Sequence, residues 1–238
     1  MTGATEIKKE SWVKESAFGT WFTGTQIWAK YVLIKALDDL EPMIRNRKQD
    51  YSVILDVGCG HGLSFTMLEK KFKPKRIIGL DIDSMTQSRA QCNIALCQCK
   101  IQLQNTNASD INLENDSVDM LFCHQSFHHI VEQEQAMQDF FRILKPGGVL
   151  LFSESCRRYI NSFLIQLLFR HPMNVQKSDL EYIKLIRATG FELEEQNISR
   201  PCPWWSREDL GLLELLHLPK YKEDGEETMV NLIAFKPG

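Results

Sequence analysis

The run Val53-Ile54-Leu55-Asp56-Val57-Gly58-Cys59-Gly60-His61-Gly62 holds the residue types that cradle a nucleotide-like ligand. Glycine lets the backbone turn with φ > 0 and lets a ligand rest on bare main chain. A second apolar run ends at Asp81, 19 residues past Gly62, where an acidic side chain suits ribose hydroxyls. A third chemical cluster is Cys123-His124-Gln125-Ser126-Phe127-His128-His129. Histidine titrates near neutrality, so His128 is a candidate base for an acceptor's proton. Asp83, beside Asp81, is more simply a helix N-terminal acid complementing the dipole. Dinucleotide enzymes want Gly-x-Gly-x-x-Gly, but here the last position is Leu63. The turn alone leaves a dinucleotide and another nucleotide-like cofactor both open, and Asp81 suits either.

These residues need strands to end at them and helices to start after them. Strands are expected at 52–57, 77–80, 101–105, 118–123 and 149–153. Helices are expected at 63–72, from the Ser84-Met85-Thr86-Gln87 capping box to about Cys97, and at 132–144. Lys145-Pro146-Gly147-Gly148 is expected to stop the last of these. Such alternation predicts an α/β fold with a doubly wound, mostly parallel sheet. Further on, 157–170 reads as one dense apolar helix, and Ser178-Asp179-Leu180-Glu181 as a capping box whose helix ends at Gly190. Strands at 191–198 and 229–235 bring the sheet to seven, and Ser206 can cap a helix through Leu216. Residues 1–50 lie outside the alternation and are expected to form an N-terminal helical cap. Residues 51–238 form the cofactor-binding domain, the whole being one compact unit.

Taken together, Asp56 with its glycine turn, Asp81, Asn107-Ala108 and the Pro146-Gly147-Gly148 turn resemble the class I S-adenosylmethionine-dependent methyltransferases. Within that family the small-molecule branch of the ubiquinone/menaquinone-biosynthesis methyltransferases is the nearest likeness. The resemblance covers about residues 50–155 and implies the Rossmann-like methyltransferase fold. It implies S-adenosyl-L-methionine as cofactor and S-adenosyl-L-homocysteine as product. It places Asp56, Gly58, Cys59 and Gly60 along the methionine and ribose parts, Asp81 at the ribose hydroxyls and Ile82 on adenine. Asn107 and the Ala108 amide meet the adenine edge, and His124 faces the methionine end. The family usually has Asp where this chain has Asn107, whose carbonyl oxygen can still accept the bond.

The acceptor is expected to be a small aromatic or apolar molecule. Trp21-Phe22 and Trp204-Trp205 stand in glycine- or proline-punctuated loops outside the sheet, where acceptor pockets are built. They read equally well as core aromatics between cap and sheet. No metal is expected: the chemistry needs none, and Cys92, Cys97 and Cys99 match no zinc spacing. A net charge of −3 gives no sequence-independent grip on nucleic acid. No apolar run is long enough to span a membrane, although the 157–170 segment suits peripheral contact with one. Seven scattered cysteines and a polar Met1–Trp12 start favour reduced thiols and a cytoplasmic protein. The alternative function is a catalytically silent S-adenosylmethionine-binding sensor or partner subunit, which labelled methyl transfer would exclude. A nicotinamide dehydrogenase would want glycine at position 63.

Overall fold

The computed structural model describes residues 12–45, 47–49, 51–207, 216 and 226–238. The helix expected after Ser206 falls, from residue 208 to 215, outside them. Five strands run parallel: β1 (Val53–Val57), β2 (Arg76–Asp81), β3 (Lys100–Asn105), β4 (Val118–His124) and β5 (Leu144–Ser155). Two more, β6 (Ile198–Ser199) and β7 (Met229–Phe235), complete the order β3-β2-β1-β4-β5-β7-β6, with β7 antiparallel to both neighbours. The expected seven-stranded, mostly parallel sheet is thus the observed one. Its strand order reverses between β1 and β4, and a crevice opens beyond the carboxyl ends of strands at such a switch.

Strand residues alternate between two core faces, since successive side chains point to opposite sides. Leu55 and Val57 of β1 join Phe127, Phe140, Phe152 and Tyr182 on one face. Ile54 joins Leu37, Leu40, Phe65, Phe72 and Ile233 on the other. The N-terminal unit consists of α1 (Ala17–Thr23), then α2 (Gln26–Trp28), a π-turn at Ala29–Leu33 and α3 (Ile34–Leu40). Thr25 caps α2 by accepting from the Trp28 amide. The cap is tied to the sheet by Leu37 and Leu40, both fully buried.

Around the sheet lie α4 (Leu63–Phe72), α5 (Thr86–Ile94) and α6 (Gln133–Ile143). The Ser84 capping box does not form: α5 begins at Thr86, and Asp83 takes over instead. Its side chain accepts from the Met85 amide at 2.9 Å and meets Arg89 at 2.6 Å. Strand β5 starts earlier than expected, absorbing Lys145–Gly148 as an irregularity in its pairing with β4, with Gly147 at φ 69°. The segment 157–170 is two short helices, α7 (Arg157–Ile160) and α8 (Phe163–Leu168). Ser162 between them is extended (ψ 144°), and an Asn161-Ser162 pair favours a turn over a helix interior.

Helix α9 (Asp179–Thr189) carries the expected capping box at Ser178 and Glu181, and Gly190 follows at φ 110°. The strand expected at 191–198 shrinks to β6 plus a bridge from Glu192 to Phe235. Two guanidinium bonds from Arg187, at 3.1 and 3.0 Å, take the Leu193 carbonyl that a longer ladder would need. Among the described residues no helix is long and apolar enough to cross a membrane.

Candidate functional site

Strand β1 ends in a turn that three left-handed glycines make possible: Gly58 (φ 70°), Gly60 (φ 49°) and Gly62 (φ 70°). At Gly58 a Cβ would lie 2.4 Å from Cβ of Ser126, so no other residue fits. At Gly60 the nearest atom to a Cβ would be 4.0 Å away, leaving open space in front of the turn. Asp81 ties this turn to the end of β2. One carboxylate oxygen accepts from the Gly60 amide at 2.8 Å and the other from the Asp83 amide at 2.9 Å. A carboxylate has about four lone-pair sites, so two remain for a ligand's hydroxyls. Burial raises the Asp81 pKa, and these two amide bonds oppose the rise.

Asp56 sits below the turn, buried, and accepts from the Ser64 hydroxyl. Burial pushes its pKa up to about 7, against the Ser64 bond, with a smaller push from Asp81. Cys59 is buried too, and its thiol is raised far above its usual range by burial and by Asp56 and Asp81. It lines the cavity as an uncharged group.

Three adjoining cavities meet at Thr23, which lines them all. The first, in front of the glycine turn, measures about 180 Å³ and collects Gly58, Gly60, Asp81, Ile82, Asn107 and Ala108. The second, beneath the turn, is lined by Asp56, Gly58, Cys59, Gly60 and His124. All nine residues assigned from the resemblance to the cofactor therefore stand on one of two neighbouring cavities. The Asn107 side-chain oxygen is turned toward the Ser109 amide, 3.2 Å away, in a local turn. His124 stacks on Phe122 (centroids 5.7 Å) and meets Trp28 edge-on at 5.8 Å. Its Nε2 is buried without a partner, and burial lowers its pKa to about 4, so the ring is neutral.

The third cavity, about 210 Å³ and mostly apolar, lies between the cap and the α7–α8 segment. Phe22, Trp204 and Trp205 line it, joined by Trp28, Tyr159 and Leu164. Trp21 does not: it is 62% exposed and packs beside Phe18. His128 lines this cavity and is itself buried. Its Nδ1 lies 2.6 Å from Oε2 of Glu154, and its carbonyl accepts from Gln176 at 2.9 Å. Oε1 of Glu154 accepts from the Ser126 and Phe127 amides at 2.9 and 2.8 Å. With that carboxylate as acceptor, Nδ1 is a ring nitrogen that carries a proton.

Glu154 and His171 escaped the sequence reading. An acidic residue inside the apolar strand Val149–Ser155 was the available signal for Glu154. His171 offered none, because its place beside His128 depends on the chain returning from α8. Glu15 and His129 line both the apolar cavity and the one before the glycine turn, so these two spaces join there.

Residues 55–152 match the family model described as a methyltransferase domain. A probable S-adenosylmethionine-dependent methyltransferase of Mycolicibacterium smegmatis is 27% identical over 143 residues, which are 60% of this chain and 52% of that protein. A fatty-acid O-methyltransferase of the same organism is 29% identical over 108 residues, 44% of this chain and 38% of that one. The chain thus spans about half or less of the length of these curated relatives. A solved S-adenosylmethionine-dependent methyltransferase from Aquifex aeolicus superimposes with a TM-score of 0.64 at 14% identity, over 92% of this chain and 97% of that one.

The cofactor these findings imply is S-adenosylmethionine, and the residues present fit it. A Cβ-free space faces the cavity at Gly60, and a half-buried carboxylate, Asp81, keeps acceptor capacity toward that cavity. Two further buried polar groups, Asp56 and the unpartnered His124 Nε2, line the adjoining cavity beneath the turn.

Proposed function

With an S-adenosylmethionine-dependent methyltransferase domain as premise, we propose that this chain methylates a small aromatic or apolar acceptor. One observation carries the reading: an apolar, aromatic-lined cavity joins the cofactor cavity at Glu15, Thr23 and His129. The likeness to the ubiquinone/menaquinone branch supports a small-molecule acceptor. In this reading residues 1–50 cap the acceptor cavity and residues 51–238 hold the cofactor.

When bound, the cofactor supplies an activated methyl group on a sulfonium sulfur. The chain's part is alignment, exclusion of water and disposal of a proton. Asp81 fixes the ribose, and the backbone at Gly58 and Gly60 lets the cofactor approach the turn. Phe22, Trp28 and Trp205 would pack on an acceptor in the cavity they line. Bound at the glycine turn, the cofactor would give its methyl group to the acceptor and leave as S-adenosylhomocysteine, its sulfur keeping the electron pair. An acceptor hydroxyl gives its proton to Nε2 of His128, whose ring Glu154 keeps in the required tautomer.

Calorimetry with S-adenosylhomocysteine tests the cofactor half of this reading. Micromolar binding by the native chain and loss in Asp81→Ala is the expected result. Incubation with methyl-labelled cofactor and metabolite fractions graded by polarity tests the acceptor half. Label entering the polar fractions only would overturn it.

A further inference from the structure

The structure assigns a second binding site to this chain: a divalent transition-metal site made by His128, His129 and His171. Each of the three offers a ring nitrogen, and these atoms lie within 4.8 Å of one another. Ring centroids are 4.4 Å apart for His128–His129, 4.7 Å for His129–His171 and 5.1 Å for His128–His171. Tetrahedral coordination at ordinary metal–nitrogen lengths places ligand atoms roughly 3.3 Å apart, so ring rotations close the remaining gap.

Three features separate this cluster from aromatic packing. Among the described residues no hydrogen bond joins one of these rings to another, although they nearly touch. His171 Nδ1 is buried with no partner at all, a cost that burial imposes unless something meets it. Glu154 stands behind His128, bonded to Nδ1, which is the arrangement that orients a metal-binding imidazole and raises its basicity.

Three imidazoles favour zinc, cobalt, nickel, copper or iron(II) over magnesium or calcium. Three protein ligands leave at least one position open. The cluster lines the apolar cavity, and His129 also lines the cofactor cavity, so the open position faces the space between them. Resting on the methyl-transfer reading, this names the acceptor class: a molecule bearing a hydroxyl, enol or carboxylate oxygen that binds the ion. The ion lowers the hydroxyl pKa, and the oxygen binds as its conjugate base with the proton released to solvent. In the metal-free protein Nε2 of His128 is a base; with the ion in place it is a ligand.

The test uses chelator-stripped full-length protein titrated with Co²⁺ and followed by visible absorption. One equivalent per chain with tetrahedral cobalt bands is expected, and at least tenfold weaker binding in His171→Ala and in His129→Gln. S-adenosylhomocysteine affinity is expected to stay within twofold of native in His171→Ala, whose side chain lines the apolar cavity and not the cofactor cavity. It tests the cofactor reading separately, and circular dichroism reports that both variants are folded. Substoichiometric cobalt in a native chain that binds S-adenosylhomocysteine overturns the metal site. So do cobalt bands unchanged in both variants, which would move the ion to the thiols.

Discussion

Nδ1 of His128 lies 2.6 Å from Oε2 of Glu154, with both side chains withdrawn from solvent. The other oxygen of Glu154 is held by the Ser126 and Phe127 amides. One carboxylate thereby fixes both the backbone of the turn after β4 and the ring that lines the apolar cavity.

Glu154→Gln separates these two duties. The amide oxygen can keep the Ser126 and Phe127 bonds, while the amide nitrogen now faces His128 Nδ1. A donor there forces the imidazole into the other tautomer and places a proton on Nε2. Methyl transfer is expected to fall by about 10²-fold, the range typical of a lost general base. Exchanging a hydrogen bond to a charged group for a neutral one costs about 1 kcal/mol, or roughly 2–4 °C in Tm for a chain of this size. S-adenosylhomocysteine affinity is expected to hold. A variant with native turnover would remove Glu154 and His128 from the mechanism together.

The turn itself is a second point of leverage. Gly58→Ala must take a backbone φ of 70° and drive a Cβ to 2.4 Å from that of Ser126. Left-handed backbone costs roughly 1–2 kcal/mol and overpacking about 1–3 kcal/mol more. Ser126→Gly removes the clash but not the strain. It also gives up the bond from the Ser126 hydroxyl to the Val57 carbonyl at 2.8 Å. In a double-mutant cycle read by thermal unfolding, the pair should be less destabilised than the sum of the single changes. Strict additivity would show that the contact is relieved some other way.

What the sequence disclosed and what it withheld follow from the range of the forces concerned. The β1 turn, Asp81 and the Ser178 capping box are local: glycine spacing, an acid at a strand end and a Ser-x-x-Glu pattern each act within a few residues. The Ser84 box, a Ser-x-x-Gln pattern, did not form: Asp83, one residue earlier, takes the Met85 amide with its side chain and the Thr86 amide with its carbonyl. The long helix expected at 157–170 failed at Asn161-Ser162, where two turn-forming residues outweigh the apolar periodicity around them. Glu154 reaches His128 across 26 residues of chain, and His171 arrives only after α7 and α8 have folded over the cavity. Nothing in residue spacing encodes such meetings. They depend on which strands become neighbours.

Asp81 holds the glycine turn and, in our reading, the ribose. Asp81→Ala leaves the Gly60 and Asp83 amides without their partner and removes the acceptors for two hydroxyls. At about 1.5–3 kcal/mol for each bond to a charged group, affinity for S-adenosylhomocysteine should drop by at least 10²-fold. Asp81→Asn keeps one acceptor and should lose less. Equal losses in the two variants, measured by calorimetry, would mean that the turn collapses in both.

The last expectation concerns Asp56, whose pKa burial lifts from 3.8 to about 7. Between about pH 4 and 7 the folded chain therefore holds a proton that the unfolded chain has released. The contribution of Asp56 to stability is greatest below pH 4 and is lost as pH rises toward 7. A cofactor cation beside it favours the carboxylate, so binding should release up to one proton below pH 7. Affinity should then climb with pH by at most tenfold per unit and level off above 7. Calorimetry at pH 6 in two buffers of different ionisation enthalpy measures the proton count directly. S-adenosylmethionine and S-adenosylhomocysteine share an ammonium group, but only the first carries a sulfonium. More protons released by the first would make the sulfonium the partner of Asp56; equal release would point to the ammonium. Asp56→Asn should abolish the pH dependence in this window, and a slope that survives in that variant would assign it to another group.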